Sequence, residues 1–186
     1  MSHIAIQTTV SIAACVLSLA ATCFAWQQIE ISRTHNRLTV KPMLQLVPQL
    51  KGPGGRNGLY LTNTGLGPAI IKEFTVESGR GVFSGLGPDR WAEALSAARL
   101  KADCFATGWP RTETPIKAGD ELSLLRLTSA ENSAPCFAEL VKLVGGEGVT
   151  TIIRYESVYD EPQDLRSGSK VPTPAINALY RMVMQK

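Results

Sequence analysis

The sequence predicts a mainly β protein carried on one N-terminal membrane helix, and three observations predict it. First, no charged side chain occurs from Ile4 to Trp26, most of those positions are apolar, and the first fully charged side chain is Glu30. A bilayer core asks roughly 20 such residues of a helix. Second, from Met43 onward short segments of alternating apolar and polar residues are separated by clusters of Gly, Pro, Asn and Asp, the texture of antiparallel strands joined by turns. Third, two stretches with helical spacing interrupt that series. Together these give an N-terminal transmembrane α-helix, then an immunoglobulin-like antiparallel β-sandwich of about six or seven strands with one or two short inserted helices. The expected boundaries are an anchor over 1–27, a juxtamembrane helix or linker over 28–42, and the sandwich over 43–186.

The anchor competes with a cleaved signal peptide. The segment before the apolar run, Met1 to His3, carries no Lys or Arg, and the run is longer than a signal peptide's apolar region. Ile12-Ala13-Ala14-Cys15 resembles a lipoprotein processing box, yet apolar sequence continues well past Cys15. A retained anchor is the reading. Its small and polar residues, among them Ser11, Ala14, Ser18, Ala21 and Thr22, would allow a second helix to approach closely, or simply make a weakly hydrophobic anchor. With no Gly or Pro from Gln27 to Lys41, the helix is expected to run beyond the membrane surface and stop before Lys41-Pro42, because Pro42 disfavours helix at the residue before it.

The strands follow in order. Met43 to Val47 is the first, and Gly58 to Asn63, with clean alternation, is the second. The turn Asn63-Thr64-Gly65-Leu66-Gly67-Pro68 then leads to a third at Ala69 to Glu77. Gly65 and Gly67 would supply positive φ and Asn63 a side-chain cap, so the turn reads as a hairpin. A phosphate-cradling glycine loop would need a helix after it and usually a Lys-Ser/Thr. A β-branched strand follows instead. Pro88-Asp89 begins a helix expected from Trp91 to about Phe105. Strand signals resume at Ile116 and at Glu121 to Leu127. Pro135 to Val144 is an amphipathic helix, stopped by Gly145-Gly146-Glu147-Gly148. Val149 to Tyr159 is the strongest strand, and apolar residues on both of its faces place it centrally in a sheet. Gln163 to Lys170 is expected as a polar edge strand, and Pro174 to Met184 as a terminal helix or strand.

The stretches His35-Asn36-Arg37-Leu38-Thr39-Val40-Lys41-Pro42 and Asn63-Thr64-Gly65-Leu66-Gly67-Pro68-Ala69-Ile70-Ile71-Lys72-Glu73-Phe74, with Tyr155-Glu156-Ser157-Val158-Tyr159, resemble an uncharacterised family of small bacterial single-pass membrane proteins. The resemblance implies a bacterial inner-membrane protein and the same architecture. It supplies no activity and no catalytic residue.

Catalytic chemistry finds little material. The two histidines, His3 and His35, both lie outside the expected domain, which removes Ser-His and Cys-His sites there. No G-x-S-x-G occurs, and in Gly81-Val82-Phe83-Ser84-Gly85 the serine stands one place too late. Cys104 and Cys136 lack the His or CxxC company of a zinc site. Asp160, Glu161 and Asp164 near Glu156 could offer oxygens to a hard cation, but no EF-hand-like loop pattern is present and a solvated acidic turn is the reading. Arg154 and Glu156 read as a cross-strand charge pair. Trp91 and Trp109 flank the helical insertion. They are the candidate partner or ligand contacts, or else they seal the insertion onto a sheet.

A net charge of +3 with scattered basic residues, and 6% aromatics, argue against nucleic acid as partner. No cofactor and no metal site is expected. The partners are the bilayer and a protein partner or a second copy. The expected function is a membrane-anchored, non-enzymatic interaction module. The alternatives are a small-ligand sensor with a cleft between the insertion and the sheet, and, more remotely, an accessory enzyme on a membrane or envelope substrate. Two signals disagree on sidedness. Arg33, Arg37 and Lys41 just after the anchor favour a cytoplasmic domain. A disulfide between Cys104 and Cys136 would require an oxidising, periplasmic one, whereas two unrelated buried thiols would not; the reading is a cytoplasmic domain unless the two cysteines are bonded.

Overall fold

A computed structural model describes residues 2–52, 55–79, 81–85, 87–128, 134–145 and 149–168. The terminal element expected from Pro174 to Met184, the last two residues of the expected edge strand and the glycines at 146 and 148 lie outside them. The chain divides into two compact units, Met1–Thr39 and Val40–Lys186.

The first unit is one helix, α1 (Ser2–Thr39). Val10, Ile12, Val16, Leu17, Leu19, Phe24 and Trp26 all stand exposed along it. It is long and apolar enough to cross a membrane. Within the apolar run, Thr22 Oγ1 donates to the Ser18 carbonyl one turn back at 2.9 Å, the kind of bond that satisfies a hydroxyl where water is scarce. Beyond the apolar run, Arg33 reaches Glu30 one turn back at 3.3 Å.

Among its described residues the second unit contains nine strands in two antiparallel sheets. One sheet orders β1 (Leu44–Leu50), β2 (Asn57–Asn63), β7 (Glu121–Leu127) and β5 (Phe105–Thr107) as β1-β2-β7-β5. The other orders β4 (Gly81–Ser84), β3 (Ala69–Ser78), β8 (Val149–Glu156) and β9 (Pro162–Gly168) as β4-β3-β8-β9, with β6 (Pro115–Ile116) beside β3. One apolar cluster draws on both, including Leu59, Leu61, Leu124 and Leu125 from the first and Ile71, Val76 and Ile153 from the second. Pro48 sits in β1, an edge strand, where its missing N–H costs no ladder bond. Along β8 burial alternates, and the strand lies between β3 and β9.

Several expectations are corrected. The turn after Asn63 is no hairpin, because β2 and β3 belong to different sheets. The first inserted helix, α2 (Pro88–Ala97), stops well before Phe105. Arg99 takes φ 59°, its N–H bonds Ser96 O at 2.9 Å and Leu100 N–H bonds Leu95 O at 2.8 Å. That is a Schellman stop formed without glycine. A short 3₁₀ turn, Ala102–Cys104, follows, and Phe105 begins β5. β8 ends at Glu156 rather than Tyr159, where Ser157 Oγ accepts from the backbone N–H groups of Tyr159 and Glu161 and Asp160 turns with φ 56°. Arg154 and Glu156 share a strand and do not pair with each other. Arg154 reaches Glu73 at 2.8 Å across the sheet and Glu156 reaches Lys72 at 3.2 Å. The second inserted helix, α3 (Ala134–Val144), buries Phe137, Leu140, Val141, Leu143 and Val144.

Candidate functional site

Trp91 and Trp109 separate in role. Trp91 is wholly buried on α2. Its ring lies 6.1 Å from that of Phe74 at a tilt of 56°, and Nε1–H donates to the Gly108 carbonyl at 3.0 Å. This indole fastens α2 to the sheets and offers nothing to a partner. The bond also fixes the residue before Trp109. Gly108 must be glycine here, since a Cβ would stand 2.2 Å from the Ser123 carbonyl oxygen.

Trp109 is half-buried and lines two clefts. One, of about 350 Å³, runs between Trp109 and Leu122, with buried Ile116 and with Pro115, Arg111 and Asp120 around it. The other, of about 520 Å³, lies on the far side of Trp109 and Arg111, against Lys72, Glu73 and Phe74. Both centre on the connection from β5 to β7. The sequence placed a cleft between the insertion and the sheet with both tryptophans on it; these two clefts lie instead on the β5–β7 connection, and Trp109 lines both while Trp91 lines neither.

Charge on this side is mostly paired. The Lys72 ammonium sits 3.1 Å from Glu113 and 3.2 Å from Glu156. Hydrogen bonding to Glu113, then to Glu156, raises its pKa from the usual lysine value. Arg56 pairs with Glu121 and lies 4.2 Å over the Tyr60 ring. Asp164, in the acidic group near the β8–β9 turn, stands 3.9 Å from Arg154. Among the described residues no cluster of His, Cys, Asp and Glu could hold a metal ion.

A disulfide joins Cys104 to Cys136, with Cα atoms 5.2 Å apart. It fastens the 3₁₀ turn before β5 to the first turn of α3. Nearby, the backbone N–H of Lys101 bonds buried Glu139 on α3 at 3.3 Å, and Lys142 neutralises that carboxylate at 2.8 Å.

Sequence reasoning missed the role of Asn63. This side chain is fully buried and uses its whole hydrogen-bonding capacity. Oδ1 accepts from Met43 N–H at 3.2 Å and Gly65 N–H at 3.0 Å. Nδ2 donates to the Gly67 carbonyl at 2.8 Å and the Ile116 carbonyl at 2.9 Å. Around it the turn closes on residues 40–43: Thr64 N–H bonds Met43 O at 2.8 Å and Leu66 N–H bonds Lys41 O at 3.2 Å. A Cβ on Gly67 would stand 1.7 Å from the Val40 carbonyl oxygen, and one on Gly65 would stand 2.3 Å from Met43 N. Close approach, rather than positive φ, is what needs glycine at both positions. Two of the three stretches that carry the sequence resemblance, 35–42 and 63–74, therefore meet at residues 40–42 and 65–67.

No protein-family model, no curated protein and no solved structure matches this chain.

Proposed function

We propose that this chain is a single-pass membrane protein of the bacterial inner membrane, and that the unit after its helix is an immunoglobulin-like sandwich serving as a non-enzymatic interaction module. The strand orders support the fold reading. β1-β2-β7-β5 corresponds to A-B-E-D of the immunoglobulin arrangement and β4-β3-β8-β9 to C′-C-F-G. The bilayer is one partner, and a protein or a second copy is the other. Anchoring raises the effective concentration of the module at the surface.

Trp109 is the observation that carries the interaction reading. A partly exposed indole between two clefts, beside Arg111, joins two residue types enriched among binding hot spots. A photoreactive phenylalanine analogue at position 109, in membranes, should give a discrete stoichiometric adduct, while the same analogue at position 154 on the ion-paired face should give none. Equal or absent adducts at the two positions would defeat the reading.

The Cys104–Cys136 bridge supports an oxidising compartment for the module, against the charge bias of Arg33, Arg37 and Lys41. Maleimide should label these two thiols only after reduction. Labelling before reduction would return the module to the cytoplasmic side.

A second reading, a membrane-tethered small-ligand sensor, draws on the cleft volumes, which fall in the range of small-molecule sites. A metabolite that raises the thermal midpoint of the full-length protein, and loses that effect in Trp109→Ala, would favour it.

A further inference from the structure

Asn63 belongs to two stretches of chain at once. Its backbone N–H donates to Asp120 O at 3.1 Å, and its carbonyl accepts from Gly119 N–H at 2.9 Å. Its side chain holds the Ile116 carbonyl on one side and Met43 N–H on the other. Ile116 and Asp120 line the smaller cleft. Met43 closes the segment 40–43, which follows α1 directly in the chain. A shift of the 116–120 wall must therefore either carry Asn63 with it or break bonds at a fully buried amide. Breaking them leaves donors and acceptors without partners, so moving together is the cheaper course.

We propose that the cleft wall at residues 116–120 and the segment 40–43 form one coupled unit with Asn63 as its keystone, so that strain at the cleft is felt beside the membrane-spanning helix. The coupling itself holds whatever the partner is.

The coupling is tested by disturbing one end and reading the other. Gly119 has φ +80° with no atom near a new Cβ, so Gly119→Ala strains only the turn. Hydrogen exchange would be followed by mass spectrometry on the full-length protein in detergent micelles. In Gly119→Ala, peptides covering residues 40–46 and 63–68 should exchange at least about fivefold faster, the low end of measured site-to-site couplings, with β8 unchanged. Conversely, Gly67→Ala, which drives a Cβ into Val40, should speed exchange at residues 116–120. Acceleration confined to residues 117–120 in Gly119→Ala overturns the proposal. If either variant loosens β8 as well, Ile116→Val replaces it and is read by the same peptides.

Discussion

Opposite ends of β7 are fastened by different chemistry. Near Leu127, one disulfide ties the turn before β5 to α3. Near Glu121, one buried amide and two glycines tie residues 40–43 and 116–120 to the end of β2. The disulfide acts largely on the unfolded chain, by removing loop entropy. The amide acts only in the folded state, because each of its bonds needs another piece of backbone already in place. The first therefore responds to redox conditions and the second to steric change.

Opening the disulfide should give the larger effect. Closing a loop of this span, with a sequence separation of 32, is worth about 4 kcal/mol in the chain-entropy account. Replacing both cysteines by alanine should lower the thermal midpoint of the full-length protein by roughly 10 °C. Reductant should do the same to the native protein and nothing to the variant. A change of only a degree or two would mean that α3 holds without its covalent tie.

Asn63→Ala comes next, at about 3 kcal/mol, because it strands buried backbone groups that water reaches poorly. Its effect should be indifferent to reductant. The two lesions share no partner, so combining them should add within about 0.5 kcal/mol. A larger non-additive term, read from denaturant midpoints, would show that the two ends of β7 are not independent.

The two fastenings also differed in how far the sequence could reveal them. Two cysteines in one small domain are a visible pair. Asn63 looked like a turn residue, between the plain alternation of β2 and the less regular pattern of β3. Nothing local says that its amide meets Met43 twenty residues earlier, or that Gly65 and Gly67 answer a passing backbone rather than a torsion. The helix stop at Arg99 escaped for a related reason. A non-glycine residue accepts the left-handed region there because Ser96 and Leu95 carbonyls reward it, and no glycine marks the place in the sequence. β4 was too short, at four residues, for alternation to register, and it exists through pairing with β3. Of the two tryptophans, composition could nominate both but not say which one α2 would bury.

Trp91→Phe sharpens that distinction. It keeps the ring contact with Phe74 and deletes the donor to Gly108, leaving a carbonyl unpartnered and a small void, at about 2 kcal/mol. If Gly108 positions Trp109, the variant should also blunt photo-crosslinking at position 109. Trp109→Phe should cost less, lowering the thermal midpoint by no more than about 3 °C, because Trp109 is only half-buried at the edge of the core. Equal losses of stability from both variants would place Trp109 in the core and remove the basis for the interaction reading.

The smallest effect belongs to Lys72, and its sign is fixed by the direction of its shift. Glu113 and then Glu156 favour the charged ammonium, so its pKa is higher in the folded protein than in the unfolded chain. Such a group stabilises fully below the ordinary lysine value of 10.5 and loses that contribution as pH climbs through the raised folded value. Lys72→Met keeps most of the stem and removes the charge. Its midpoint should therefore lie slightly below that of the native protein at neutral pH and converge with it in strongly alkaline buffer. Because the ammonium is in reach of solvent, the gap should shrink with added salt as well. A gap that widens with pH, or ignores salt, would mean that Lys72 contributes through its packed methylenes and not through the two carboxylates.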